Sequence, residues 1–96
     1  MKMAKTSFEW DEDKNRLNQK KHGVSFEQAQ RAFDDPNRII VRDLEHETGE
    51  KRFFCLGMVQ GGVLTVRFSF RRKIIRIFGA AYWRQGRKRY EQENQI

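Results

Sequence analysis

The sequence predicts an α+β domain: one mainly antiparallel twisted sheet of four to five strands, with two helices before it and one after. Three observations carry this prediction. Segments with helical spacing lie towards the two ends of the chain, whereas segments alternating every second residue follow one another in the middle. The connections between the alternating segments are short, which favours antiparallel neighbours. The 96 residues, 38% of them hydrophobic and eight of them phenylalanine, suffice for one modest core, so residues 1–96 read as a single domain.

Residues 1–7 are expected to be disordered or weakly ordered. Phe8 and Trp10 then alternate with polar neighbours as a short first strand. Asp11 can cap a helix over 11–22, with acids at Asp11, Glu12 and Asp13 and bases at Lys20, Lys21 and His22 placed to suit the helix dipole. Gly23 is a natural stop. Leu17 is the one strongly apolar residue of this helix, so most of its surface is expected to be wet. A second helix is expected over 25–34. Ser25 and Gln28 form a capping box, Val24 can staple against Ala29, and Phe26, Ala29, Ala32 and Phe33 share a face. Pro36 ends it.

Strands are expected around 38–43, 52–59, 63–71 and 73–79, joined by the polar stretch EHETGEK, a tight turn at QGG and a basic bend at Arg71–Lys73. In the third of these, Leu64, Val66, Phe68 and Phe70 point to one face, and Thr65, Arg67 and Ser69 to the other. A last helix is expected over 84–94, although Gly86 near its start disfavours it.

Charge is distributed unevenly. Eleven Lys and Arg balance eleven Asp and Glu over residues 1–66, whereas residues 67–96 hold nine cations against Glu91 and Glu93, so the net +7 sits entirely in the last 30 residues. Such a concentrated basic surface suits a polyanionic partner, either nucleic acid or an acidic protein. The chain has no apolar run long enough to span a membrane, and MKMAKTSFEW lacks the apolar core of a signal peptide, so a cytoplasmic location is expected. Cys55 is the only cysteine and reads as a buried strand residue; an intramolecular disulfide is excluded. With one Cys and two His, no structural metal is expected, and no cofactor.

Arg67 and Arg76 are expected to meet on one sheet face if their strands pair through the RRK bend. Two guanidinium groups held close repel, and an anion between them relieves the cost; the same pattern also suits a solvated face on which arginine stems cover apolar surface. In AAYWRQGRKRYEQ, aromatic rings among cations suit single-stranded nucleic acid, with bases stacked on rings and cations along phosphates. Tyr82, Trp83 and Tyr90 can equally pack the final helix onto the sheet. In DLEHETGEKR, His46 is the one group able to exchange a proton near neutrality, set among Asp43, Glu47, Glu50 and Arg52. His22, closing a helix in KHG, reads as a cap or packing residue.

The stretches FEWDEDKNRLNQKKHGVSFEQAQRAFDDP, DLEHETGEKRFFCLG and IIRIFGAAYWRQGRKRYE together resemble the BrnT toxins of bacterial type II toxin–antitoxin systems, in family order over most of residues 8–91. The resemblance implies a RelE-like ribonuclease fold and activity on RNA. It also implies a small DNA-binding antitoxin partner of the BrnA type, which neutralises the toxin and with it represses their shared operon, so that operator DNA is reached only through that complex. On this footing His46 or Glu50 is the expected base. Arg52, Arg76 and Arg84 are expected to stabilise developing charge, Tyr90 to donate a proton or touch phosphate, and Arg67, Trp83 and Arg87 to bind RNA. One departure stands out. Many members carry S-A-R-x-A followed by E-R-x-x-Y, whereas this chain has Ala81 at the Arg position and Gly86 about where Glu stands; Arg84 is a candidate substitute for the lost guanidinium. The rival expectation is a basic module that binds nucleic acid or an acidic protein without cutting.

Overall fold

The computed structural model describes residues 6–96. Strand β1 (Ser7–Glu9) leads into helix α1 (Glu12–His22), a short helix α2 (Phe26–Ala29) and a 3₁₀ helix (Gln30–Asp34). Strands β2 (Ile39–Arg42), β3 (Arg52–Val59), β4 (Gly62–Arg71) and β5 (Ile74–Ala81) follow, and helix α3 (Arg84–Asn94) closes the chain. One sheet holds all five strands in the order β1-β5-β4-β3-β2; every pair is antiparallel except the parallel edge pair β1–β5. The α+β class expected from the sequence is the one observed. Of the stretch 1–7 expected to be weakly ordered, residues 1–5 lie outside the described residues, and Ser7 already belongs to β1.

The helix boundaries follow from their caps. Asp11 accepts from the Asp13 and Lys14 amides, and Gly23 closes α1 at φ 68°, a left-handed conformation that favours glycine. Ser25 caps α2 through the Gln28 amide. The single α-helix expected over 25–34 is instead a four-residue α-turn continued as a 3₁₀ helix. The tighter winding occurs where this segment presses on β3: a Cβ on Gly57 would lie 2.2 Å from the Ala32 carbonyl oxygen. Tertiary contact here overrides the local helical pattern.

Most of α1 is wet, as expected, and its buried residues are polar. The helix is anchored by its amides: Asn15 and Asn18 are 1% and 8% exposed, while Leu17 is 50% exposed. β1 is too short to cover β5 beyond Arg76. Asn18 fills the uncovered edge, donating from Nδ2 to the Ala80 carbonyl at 2.9 Å and accepting the Ala80 amide on Oδ1 at 3.2 Å. One side-chain amide therefore replaces a peptide unit of a missing strand. Asn15 accepts the Phe26 amide on Oδ1 at 2.8 Å, fixing the turn between the helices.

The sheet separates two apolar clusters. On one face Cys55, Leu64, Val66, Phe68, Ile75 and Ile77 are buried with Val24, Phe26, Ala29 and Ala32. On the other, Leu56, Val63 and Tyr90 pack with Ile39, Val41 and Phe54 beneath α3. Phe70 shares the first face but is exposed at the sheet rim, against Phe53 and Phe68. Gly86, unfavourable as a helix residue, has a contact role. A Cβ there would lie 2.1 Å from Thr65 Oγ1, so glycine lets α3 rest directly on β4.

Two stability outcomes follow. Asn18→Ala orphans the Ala80 amide and carbonyl and is expected to lower unfolding stability by about 2–4 kcal/mol, against about 0.5 kcal/mol for Leu17→Ala, the reverse of their hydrophobic order. Urea denaturation midpoints of the two variants check this. Gly86→Ala gains about 1 kcal/mol of helix propensity but must displace a β-branched side chain stiff at χ1, at about 1–3 kcal/mol. A net loss in melting temperature is expected; a rise would show that α3 does not press on Thr65.

Candidate active site

The strand register assembles a row of polar side chains on the face that carries α3. Arg52 of β3 pairs with Ser69 of β4, Ser69 with Arg76 of β5, and Arg76 with Glu9 of β1. Directly paired residues point the same way, so these four side chains cross the sheet in one line. Arg67 and Arg71 lie two residues to either side of Ser69 and share its face. Arg67 and Arg76 are thus on one face, and four arginines converge there. α3 covers only the other half of this face, around Leu56, Val63 and Thr65, and leaves the arginine half open.

Two carboxylates balance part of this charge. Glu9 accepts from Arg76 at 3.0 Å, and Glu50 accepts from Arg71 Nε at 3.0 Å. The Arg71 hydrogen bond, opposed by slight burial and reinforced by the charges of Arg71, Arg52 and Arg76, holds the Glu50 carboxyl below the usual carboxylate range. Among the described residues Arg52 and Arg67 make no ion pair. Arg52 Nε is buried without a hydrogen-bond partner, as is the hydroxyl of fully buried Ser69 beside it. Both atoms are closed to solvent, so the charge this face offers to an anion lies on the exposed parts of Arg52, Arg67, Arg71 and Arg76.

A β-bulge supplies the row with an aromatic wall. Arg67 pairs with Gly79 and Phe68 with Ile77, so Phe78 is the extra residue on β5. Its ring faces the Arg52 guanidinium at 4.3 Å and the Lys14 ammonium at 5.7 Å, both within cation–π range. The bulge left no signal in the alternation of the sequence. Ser69 did leave one, since the β4 alternation already sets it beside Arg67.

His46 stands in the loop after β2, at the Arg52 end of β3. The Asp43 amide donates to the Arg52 carbonyl at 2.8 Å, extending the β2–β3 ladder by one residue. Buried Asp43 directs its carboxylate at His46 Nδ1, at 3.0 and 3.1 Å. A carboxylate on Nδ1 selects the tautomer that leaves Nε2 able to accept a proton. Arg42 and Glu47 pair across the same loop at 2.6 Å, and Glu47 also accepts the Arg52 amide, which ties the loop to β3.

The remaining candidates lie elsewhere. Tyr90 is buried, its hydroxyl donating to Asp35 Oδ2 at 2.6 Å, with Asp35 also accepting the Met58 amide. Burial and the Asp35 carboxylate push its phenol up to about 12. Asp35 itself is pushed up by burial, but bonds from Tyr90, Met58 and Asn37, with nearby Arg38, outweigh this and hold it low. Met58 is six residues from Arg52 along β3, roughly 20 Å at strand rise, so Tyr90 fastens α3 at the far end of the sheet. Arg84 and Arg87 are exposed on α3, and Arg87 pairs with Glu91 at 3.0 Å. Trp83, at the N-cap of α3, is half exposed and meets His22 edge-on, with ring centroids 6.5 Å apart. Cys55 is inert, its thiol pushed up to about 12 by burial.

The family model for the ribonuclease toxin BrnT of type II toxin–antitoxin systems matches residues 10–86. The chain belongs to the BrnT family. The matched stretch contains β3, β4, β5 and the His46 loop, and so the whole arginine row apart from Glu9. Membership makes the chain a toxin of a type II system, of a family described as ribonucleases, with an antitoxin as its cognate partner. No curated protein matches the chain. No helix among the described residues is long and apolar enough to cross a membrane.

Tyr90→Phe removes a hydrogen bond to a charged acceptor and is expected to lower stability by about 1.5–3 kcal/mol, whereas Trp83→Ala at a half-exposed cap is expected to cost about 0.5 kcal/mol. Melting temperatures of the two variants test this division between docking and surface.

Proposed function

We propose that this BrnT chain is a cytoplasmic, metal-independent endoribonuclease that cuts RNA and thereby stops growth, and that a BrnA-type antitoxin silences it. The supporting observation is the convergence of Arg52, Arg67, Arg71 and Arg76, each at least partly exposed, on one face of the sheet. A phosphodiester seated there meets positive charge already oriented, which favours the doubly charged phosphorane over the ground state. The ribose 2′-oxygen attacks the adjacent phosphorus as His46 Nε2 takes its proton. The bond to the 5′-oxygen breaks, that oxygen takes a proton from water, and a 2′,3′-cyclic phosphate remains. His46 is a better base than Glu50, whose depressed pKa leaves it a weak proton acceptor. Asp43 orients the imidazole. Arg67 and Trp83 bind the strand beside the scissile phosphate. Arg84 and Arg87, set apart from the row on α3, suit the antitoxin interface better than the chemistry. Tyr90 holds the fold rather than the substrate. Operator DNA is reached through the antitoxin complex.

One observation favours the rival reading of a basic module that binds without cutting. Ala81 is buried opposite Thr65, under α3, where the family pattern carries an arginine. Incubation of single-stranded RNA with purified toxin in excess EDTA separates the two. Cleavage to 2′,3′-cyclic phosphate ends is expected, falling roughly 10²–10⁴-fold in His46→Ala and roughly 10²–10³-fold in Arg76→Ala. Binding without cleavage in the intact chain, or full activity in His46→Ala, would overturn the proposal.

A further inference from the structure

A second basic groove opens beside the arginine row, between α1 and β5. Lys14, Lys21 and His22 of α1 line one side, Arg67 and Phe78 the floor, and Trp83 the end. Its two lysines arise one on each side of Asn18, whose amide fixes α1 against the β5 edge, so the lysine positions are set by buried bonds. Among the described residues, no carboxylate side chain lines the groove. The Phe78 ring joins it to the row, with Arg52 of the row at 4.3 Å and Lys14 of the groove at 5.7 Å. Trp83, 41% exposed and held edge-on by His22, presents ring surface at the far end. Cations along a channel that ends in an aromatic platform form the arrangement that takes up single-stranded nucleic acid without reading its sequence.

We propose that this groove is a subsite for the nucleotides flanking the scissile phosphate, with Lys14, Lys21 and Arg67 on consecutive phosphates and one base on Trp83. The inference rests on the reading of the arginine row as a phosphodiester site, and it adds a defined path for the strand away from that row. It places on α1, outside the C-terminal region where the sequence concentrates its charge, two residues that act on substrate length.

The test uses a 2′-O-methylated hexaribonucleotide, which cannot be cut, so that binding is measured apart from cleavage. Lys14→Gln/Lys21→Gln is compared with Lys20→Gln/Arg31→Gln, which removes the same charge from exposed positions outside the groove. Each lost phosphate contact lowers the slope of log affinity against log salt by about 0.7 for a single strand. The groove pair is therefore expected to flatten the slope by about 1.4 and the control pair to leave it near the wild-type value. Trp83→Ala is expected to weaken binding roughly tenfold with the slope unchanged. Equal affinities and slopes for wild type and the groove pair, equal losses in the groove and control pairs, or no binding of the hexamer by wild type, would each overturn the subsite. A wild type that binds the hexamer yet cuts no unmodified RNA would overturn the ribonuclease reading alone, and the comparison of slopes still decides the groove.

Discussion

The register of three strands, set by two hairpin turns, is the constraint on which the site face depends. Gln60 and Gly61 take φ 51° and 82°, and Arg72 and Lys73 take φ 52° and 68°, the doubly left-handed turns that match the twist of paired strands. The second turn has no glycine, and each such residue costs roughly 1–2 kcal/mol. Eight paired positions in β3–β4 and seven in β4–β5 hold it in place. A slip of one residue would drive Arg52, Arg67 and Arg76 into the face occupied by Phe68 and Ile77. Core packing therefore protects the cationic row, because the two faces of one strand cannot be set independently.

Much of this was legible in the sequence, for identifiable reasons. β3 and α3 fall where the alternation and the helical signals put them, and Asp11, Gly23 and Ser25 act as the caps they spell. The alternation in β4 correctly turned Arg67 away from Val66 and Phe68. What escaped depended on long-range contact. Nothing in the sequence marked Asn15 and Asn18 as the buried residues of α1, because a buried amide needs a partner that only the fold supplies. The Phe78 bulge, the pairing of Glu9 with Arg76 and the bond between Tyr90 and Asp35 each join residues far apart in the chain. Gly86 read as a flaw in a helix, since the strand beneath it was not visible.

The departures from the family pattern at Ala81 and Gly86 are one feature in space. Ala81 pairs with Thr65 across β4–β5, and Gly86 approaches the same Thr65 from α3. An arginine at the first position and a glutamate near the second would both need room that this contact removes. Two small residues instead let the helix settle on the sheet, and Thr65 Oγ1 is left buried without a partner. The positive charge of this face then lies in the middle of the sheet, on Arg52, Arg67 and Arg76.

Glu9 and Glu50 give the arginine cluster two resident counter-anions, on Arg76 and Arg71. Because both carboxylates are tethered, they face the guanidinium groups at a high effective concentration that a free monovalent ion in dilute solution does not match. If the face takes a phosphodiester as proposed, the ligand would enter by exchange with these carboxylates, and a chain of linked phosphates would compete better than separate ions. On the proposed reading, the face would filter by valence, with simple salts leaving its ion pairs in place and polymers displacing them.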